Sequence, residues 1–337
     1  MKSGIAFCLA EDRADCGTGL RLAILSLARH CPGAPVYVYR PEDPEFAQWV
    51  ARFPAVTHIS DRPTGATSWN CKPQALRPLL EAGYDEAVWL DSDLVITRDC
   101  RALFSQLAVE TLAVAQEPSS QRYQGTQFRT TGWGLPSGRE LPATINSSVV
   151  RVTRHHAQLL DRWLALLSDP AYLAAQQLPL EQRPLHLMGD QDLLNALVGS
   201  AEFASLPIRL IATGREIIHC GGALGYSIAE RAGGLFSKKP TFLHATAGKP
   251  WLWLGDHPYW AGHGFFGWHR QLLQELSPYV FEARTYAADL GEPRGWLEKH
   301  TTAGMILRAV GFGHFALRGL PLTLVGAGLT LFGRKSI

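Results

Sequence analysis

The chain lacks a Cys-x-x-Cys pair, a surplus of either charge, an internal repeat and an apolar run long enough to cross a bilayer. Each absence excludes something. The six cysteines, Cys8, Cys16, Cys31, Cys71, Cys100 and Cys220, stand apart, so a structural zinc site of the usual spacing is not expected. A chain of 337 residues does not need a disulfide framework either. Free thiols in a reducing, cytoplasmic setting are expected. Lys plus Arg number 32 against 30 Asp plus Glu, a net charge of +2. That balance argues against a nucleic-acid partner held by a strong basic field. The apolar run near the start, Ile5 to Leu9, is shorter than a secretory h-region.

Charge is also scarce at the other end. From Ala303 to Gly333 the only titratable side chains are Arg308, His314 and Arg318. Leu320 to Phe332 carries none, but its thirteen residues fall short of the ~20 that span a bilayer. Arg318, Arg334 and Lys335 flank it. One reading is a peripheral contact with the inner face of the plasma membrane through residues 303–335. The other is a pair of helices packed on the domain.

What is present is a core-forming composition, 46% hydrophobic and 18% charged. Periodicity predicts strands at Ile5–Leu9, Val36–Tyr39, Val56–Ile59 and Ala87–Leu90. Between them it predicts helices at Thr18–Arg29, Phe46–Phe53 and Lys72–Gly83, with Pro78 as a kink. Such alternation implies an α/β fold with a mostly parallel, doubly wound sheet flanked by helices. Ligands of such sheets bind at the carboxyl ends of the strands. Residues 117–144 are rich in Ser, Gln, Gly, Thr and Pro and read as a long loop. A strand at Ile145–Val152, helices at Ala157–Leu167 and Gln191–Leu197, and a strand ending at Phe242–Leu243 follow. The domain expectation is a catalytic domain over 1–255 and a helical, aromatic C-terminal extension over 256–337.

Val88-Trp89-Leu90-Asp91-Ser92-Asp93-Leu94-Val95-Ile96 sets two acids in an apolar run. Carboxylates in such a place must be paired, hydrogen-bonded or metal-bound. In extended chain Asp91 and Asp93 would face the same way at a strand's carboxyl end. A divalent cation would relieve their repulsion. The plainer reading is a solvated turn. Farther on, His244 closes an apolar strand, and Gly248 and Lys249 follow. Glycine admits close backbone approach, and lysine offers a point charge for a diphosphate. Residues 251–268 hold Trp251, Trp253, Tyr259, Trp260, Phe265, Phe266 and Trp268, a surface on which sugar rings could stack or a packed aromatic cluster.

Four blocks occur in order: Asp91-Ser92-Asp93; Ile145-Asn146-Ser147-Ser148-Val149; Gly189-Asp190-Gln191-Asp192; and His244 to Gly248-Lys249-Pro250-Trp251. They resemble the motifs of the family 8 glycosyltransferases, enzymes of the GT-A fold, over residues 1–255. The resemblance implies a metal-dependent hexosyltransferase acting with retention. It takes a nucleotide sugar, a UDP-sugar first, and a carbohydrate or lipid-linked acceptor. Asp91, Asp93 and His244 would hold Mn2+ or Mg2+, with mixed oxygen and nitrogen donors suiting Mn2+ better. Lys249 and Gly248 would meet the diphosphate, and Asn146 the donor sugar. Asp190 would accept from sugar hydroxyls, and Gln191 would lie beside the reacting carbon. Lys72 and Ser92 would also contact the donor. Ala10, Glu11 and Asp12 would meet its base and ribose.

Some positions depart from the pattern. His244 and Lys249 are five apart instead of six, Gly248 adjoins Lys249, and Ser148 replaces the commoner Gly. Gln191 is a poor nucleophile, so same-face attack is expected over double displacement, the leaving phosphate taking the acceptor's proton. Asp190 could instead cap its helix. Three rivals remain. A haloacid dehalogenase-like phosphatase would use Asp91-Ser92-Asp93, although three strands precede it. A sugar-nucleotide pyrophosphorylase would use Gly17-Thr18-Gly19-Leu20-Arg21. The last is an inactive carbohydrate-binding protein.

Overall fold

The computed structural model describes residues 4–63, 70–118, 127–220, 226–246, 249–252, 265–291, 295–298, 301–309 and 314–331. The chain divides into two compact units, each assembled from separated segments.

The first unit comprises residues 1–13, 33–91 and 101–211. Its strands are β1 (Ile5–Ala10), β2 (Val36–Tyr39), β3 (Val56–Ile59) and β4 (Glu86–Leu90). This unit also holds β6 (Leu112–Gln116), β7 (Ile145–Thr153) and β8 (Ile208–Ile211), whereas β5 (Leu94–Ile96) belongs to the second unit. They form one seven-stranded sheet in the order β3-β2-β1-β4-β7-β6-β8. Pairing is mostly parallel, with β7 antiparallel to both of its neighbours. Nearly every strand residue near the centre is buried, as expected for a sheet covered on both faces.

The helices α2 (Pro44–Val50), α3 (Lys72–Glu81), α4 (Arg101–Phe104), α5 (Gln127–Gly132), α6 (Ala157–Leu167), α7 (Pro170–Gln176) and α8 (Asp190–Val198) belong to this unit. In α6, Leu159, Leu160, Trp163, Leu166 and Leu167 make one apolar stripe. Leu76, Leu79 and Leu80 of α3 and Leu193, Leu194 and Leu197 of α8 join the same core, beneath Cys8, Trp89 and Val150 of the sheet.

Antiparallel β7 has a consequence for position. Its first residues lie beside the carboxyl end of β4, where Leu90 pairs with Val149 and Asp91 N–H donates to Ser148 O at 2.8 Å. Between β6 and β7 the register jumps: Val114 faces Val150, but Ala115 faces Asn146. Such a bulge re-aims side chains at the end of a ladder, and here it falls at Asn146-Ser147-Ser148.

The second unit comprises residues 14–32, 92–100 and 212–337. The strand β5 lies antiparallel to β10 (Phe242–His244), which runs parallel to β9 (Ile217–His219). The long helix α1 (Gly17–His30) packs on β5, and Ser26 Oγ accepts the Ile96 N–H at 3.0 Å. The helices α9 (Ile228–Gly234), α10 (Phe265–Glu275), α11 (Pro278–Ala283), α12 (Gly295–Glu298), α13 (Thr302–Ala309) and α14 (Leu320–Leu331) complete it. Ser227 and Glu230 form a capping box on α9. Leu272 of α10 and Leu276, just beyond its end, gather Leu322 of α14 with Ala303 and Leu307 of α13. Among the described residues no helix is long and apolar enough to cross a membrane. All six cysteines are buried, and none is joined in a disulfide.

Two expectations need correction. The polar stretch 117–144 is not all loop. It contains α5, which buries Arg129 and Thr130; residues 119–126 lie outside the described part. The Asp91-Ser92-Asp93 segment is not extended either. It turns between β4 and β5, so the alternation of a strand does not orient its two acids.

Candidate active site

In the first unit, polar side chains converge where β4 ends and β7 begins. Lys72 opens α3, its side chain 3% exposed. Its ammonium lies 2.9 Å from Asp190 Oδ2 and 3.2 Å from Asp91 Oδ1. It also lies 3.0 Å from Ser147 O and 2.5 Å from Ser147 Oγ. Three protons serve these four acceptors. Burial alone would lower the Lys72 pKa, but Asp190 and Asp91 outweigh it and hold it above the usual lysine range. Burial pushes the Asp190 carboxyl up, and Lys72 opposes that. Ser147 Oγ donates to Asp190 at 3.1 Å. Asp190 is the first residue of α8, whose N-cap is Gly189 with no side-chain cap bond. Its carboxylate therefore serves Lys72 and Ser147.

Beside this cluster, Asn146 Nδ2 donates to Glu117 Oε2 at 2.8 Å and to Gln191 Oε1 at 3.3 Å. Asn146 Oδ1 accepts the Ser148 N–H at 3.0 Å. Asn195 clasps both backbones beneath. It accepts from Ile145 N–H at 2.9 Å, and its amide donates to Ile145 O at 3.0 Å and Gln191 O at 2.7 Å. One turn of α8 thereby fixes the start of β7. Asp192 points the other way, to Arg129 Nε at 2.7 Å, both side chains buried. Burial pushes the Asp192 carboxyl up to about 6, with Arg129 opposing.

In the second unit, Asp93 follows Ser92 in the turn before β5 and is 5% exposed. Its Oδ1 lies 3.2 Å from His244 Nε2, and its Oδ2 meets the Lys249 ammonium. Lys249 also donates to Ala245 O at 2.8 Å. Burial would raise the Asp93 carboxyl, but Lys249 and then His244 outweigh it and hold it far below the usual range. His244 Nδ1 lies 3.0 Å from His219 Nδ1, which also lies 3.2 Å from Thr246 Oγ1. Trp251 anchors the segment carrying Lys249: its indole donates to Asp15 O at 3.0 Å and lies over Gly19. A Cβ at Gly19 would sit 2.5 Å from the ring.

The remaining expected residues fall as follows. Ala10 ends β1. Glu11 is buried and grips Arg13, accepting from its N–H at 3.0 Å, Nε at 2.8 Å and Nη2 at 2.7 Å. Asp12 pairs with Arg62 at 3.1 Å. Gly248, Trp253, Tyr259 and Trp260 lie outside the described residues, as do the side chains of Phe265 and Phe266. Trp268 is exposed. Sequence reasoning missed Glu117, Ser147, His219 and Arg129. Glu117 follows the apolar run Leu112–Ala115, and His219 follows Ile217-Ile218. Both repeat the signal that singled out Asp91 and His244, a polar group just after an apolar strand.

No protein-family model matches the chain, and no curated protein does. Solved structures do match. The apo structure of the bifunctional glycosyltransferase WbbM aligns with a TM-score of 0.51 at 14% identity, covering 74% of this chain. The chain spans about half of WbbM, covering 47% of it. Mouse xyloside xylosyltransferase 1 aligns at 0.47 and 17% identity, over 72% of this chain and 98% of its own. The galactosyltransferase LgtC, solved with donor and acceptor sugar analogues, aligns at 0.47 and 14% identity, over 86% and 98%. At such identities the likeness to WbbM is one of fold. The chain has the mixed α/β fold, with a mostly parallel seven-stranded sheet between helices, of the GT-A glycosyltransferases.

Proposed function

We propose that the chain is a metal-dependent glycosyltransferase that moves a hexose from a nucleotide sugar, a UDP-sugar first, to an acceptor hydroxyl with retention. The observation that carries this reading is Asp93. It is a buried carboxylate faced by an imidazole nitrogen and an ammonium, with a second acid two residues before it. Asp91, Asp93 and His244 form a donor set that could hold a metal ion. The 3.2 Å between Asp93 Oδ1 and His244 Nε2 suits that role. Two bonds of about 2.1 Å at a right angle place their donor atoms about 3.0 Å apart. Mixed carboxylate and imidazole donors favour Mn2+ over Mg2+.

The bound ion would supply positive charge to the departing diphosphate. The side chains of the chain do the rest. Lys249, free to exchange Asp93 for phosphate oxygens, adds a second charge on the leaving group. Asp190 holds sugar hydroxyls and is itself fixed in place by Lys72 and Ser147. Gln191, aligned through Asn146, presents an amide dipole to developing positive charge at the reacting carbon. An amide makes a poor nucleophile, which favours same-face attack, with the acceptor's proton passing to the departing phosphate. Gly248 would allow the backbone to approach the phosphates, and Ser92, Ala10 and Glu11 would line the nucleotide side. Residues 1–255 would form the catalytic domain. The extension 256–337 would serve acceptor or membrane contact, supported by exposed Met305, Ile306, Leu324 and Val325.

The test is turnover. The protein is incubated with UDP-hexoses and Mn2+, and release of UDP and the anomeric proton of the product are followed by NMR. Metal-dependent release with the donor's configuration supports the proposal. No release from any UDP- or GDP-sugar, or an inverted product, would count against it. Hydrolysis of p-nitrophenyl phosphate would instead favour the phosphatase reading.

A further inference from the structure

We propose that His219 is a positioning residue that selects the metal-binding tautomer of His244. This inference rests on the metal reading above. His219 ends β9 and His244 ends β10, directly opposite in a parallel pair, so both rings emerge on one face. His219 is fully buried, and its Nδ1 lies 3.0 Å from His244 Nδ1. The rings are tilted by 60° with centroids 5.1 Å apart.

Two facing imidazole nitrogens at that distance share one proton, because two lone pairs or two N–H groups would repel. With both rings neutral, two arrangements result. In the first, His219 Nδ1–H donates to His244 Nδ1. The proton of His244 is then on Nε2, 3.2 Å from Asp93 Oδ1, and that nitrogen cannot bind a metal. In the second, His244 Nδ1–H donates to His219 Nδ1. His244 Nε2 then presents its lone pair beside an Asp93 oxygen, a juxtaposition that is favourable only with a cation between them. Thr246 Oγ1, 3.2 Å from His219 Nδ1, fits both arrangements, since a hydroxyl accepts in the first and donates in the second. His219 thus provides the acceptor that a metal-ligating histidine needs on its far nitrogen. Cation binding then displaces the proton from His244 Nε2, the shared proton passes to His244 Nδ1, and His219 takes up a proton on its Nε2, so that each ring stays neutral.

Two readouts test this without turnover. In the wild-type chain carrying 15N-labelled histidine, saturation with diamagnetic Mg2+ should convert His244 to the Nδ1–H form, seen in the long-range nitrogen–proton couplings. Separately, free Mn2+ is followed by electron paramagnetic resonance during titration. His219→Asn keeps an acceptor oxygen where Nδ1 lies and should bind like wild type. His219→Phe removes the acceptor and should bind about 10–100-fold more weakly. Wild-type affinity in His219→Phe, or His244 remaining Nε2–H at saturation, would overturn this inference and leave the metal reading standing. If the wild-type chain takes up neither ion, both fall. Should His219→Phe fail to fold, the couplings of the wild-type protein decide alone.

Discussion

Lys72→Met would expose what the first unit's cluster contributes. The substitution keeps the length of the side chain and removes the charge. The ammonium is 3% exposed and Asp190 8% exposed, at 2.9 Å, so the loss leaves a carboxylate buried without its cation. Breaking such a pair costs about 3–5 kcal/mol. Asp91, more exposed at 28%, adds less because water can screen it. The effect should depend on pH with a definite sign. Burial already pushes the Asp190 carboxyl up while Lys72 opposes, so removing Lys72 raises it further. A carboxyl whose folded pKa exceeds its unfolded value makes the native state the stronger proton binder, and stability then falls as pH rises. Lys72 itself, held above the usual lysine range, gives wild type no dependence in that window. The deficit of Lys72→Met should therefore be full at pH 7.5 and shrink towards pH 5. Lys72→Met combined with Asp190→Asn should recover much of it, since a neutral pair removes the stranded charge. Urea unfolding followed by tryptophan emission measures all three, with Trp89 lying 5.5 Å beneath the Lys72 ammonium as a local probe. A deficit below about 1 kcal/mol at pH 7.5, the range of an exposed pair, or one that grows on acidification, would refute the buried-pair reasoning.

Three further outcomes follow from the geometry. Gly19→Ala would press a methyl group against Trp251 and should destabilise by about 1–3 kcal/mol, read as a lower urea midpoint; an unchanged midpoint would contradict the packing. His156 is buried and accepts the Thr153 N–H through Nδ1 at 2.9 Å, and burial lowers its pKa to about 4. Its ring resonances should titrate near that value, and because the unfolded chain binds the proton first, stability should decline as pH falls below about 6.5. A midpoint above 6 would contradict this. Gln191→Ala should lower kcat by on the order of 10²-fold with the unfolding midpoint unchanged, since Asn195 holds the Gln191 backbone. Undiminished turnover would remove Gln191 from the chemistry.

The sequence and the structure agree best where periodicity is local. Val36–Tyr39, Val56–Ile59 and Ala157–Leu167 appear with the expected bounds, because apolar spacing alone decides which face is buried. The α5 helix was hidden. Arg129 ties it to Asp192 across 63 residues, and no local pattern reports such a pair. The short strands β5, β8 and β9 were missed for the same reason, each taking its order from a distant partner. Of the candidate site, the acids and His244 could be read from polar groups interrupting apolar runs. Their partners could not. Lys72 looked like any helix-start lysine, and only the antiparallel return of β7 brings Ser147 to it. His219 carried the same signal as His244 but lacked a surrounding motif. The turn at Asp91–Asp93 shows the limit of alternation: strand periodicity does not carry past the end of β4, where the chain turns.

Calorimetric titration of UDP into the protein, with and without Mn2+, alongside Asp93→Asn, reaches the central claim most directly. Wild type should bind UDP tightly only when Mn2+ is present, and Asp93→Asn should show no such gain. Equal binding without the metal, or an undiminished metal effect in Asp93→Asn, would contradict it.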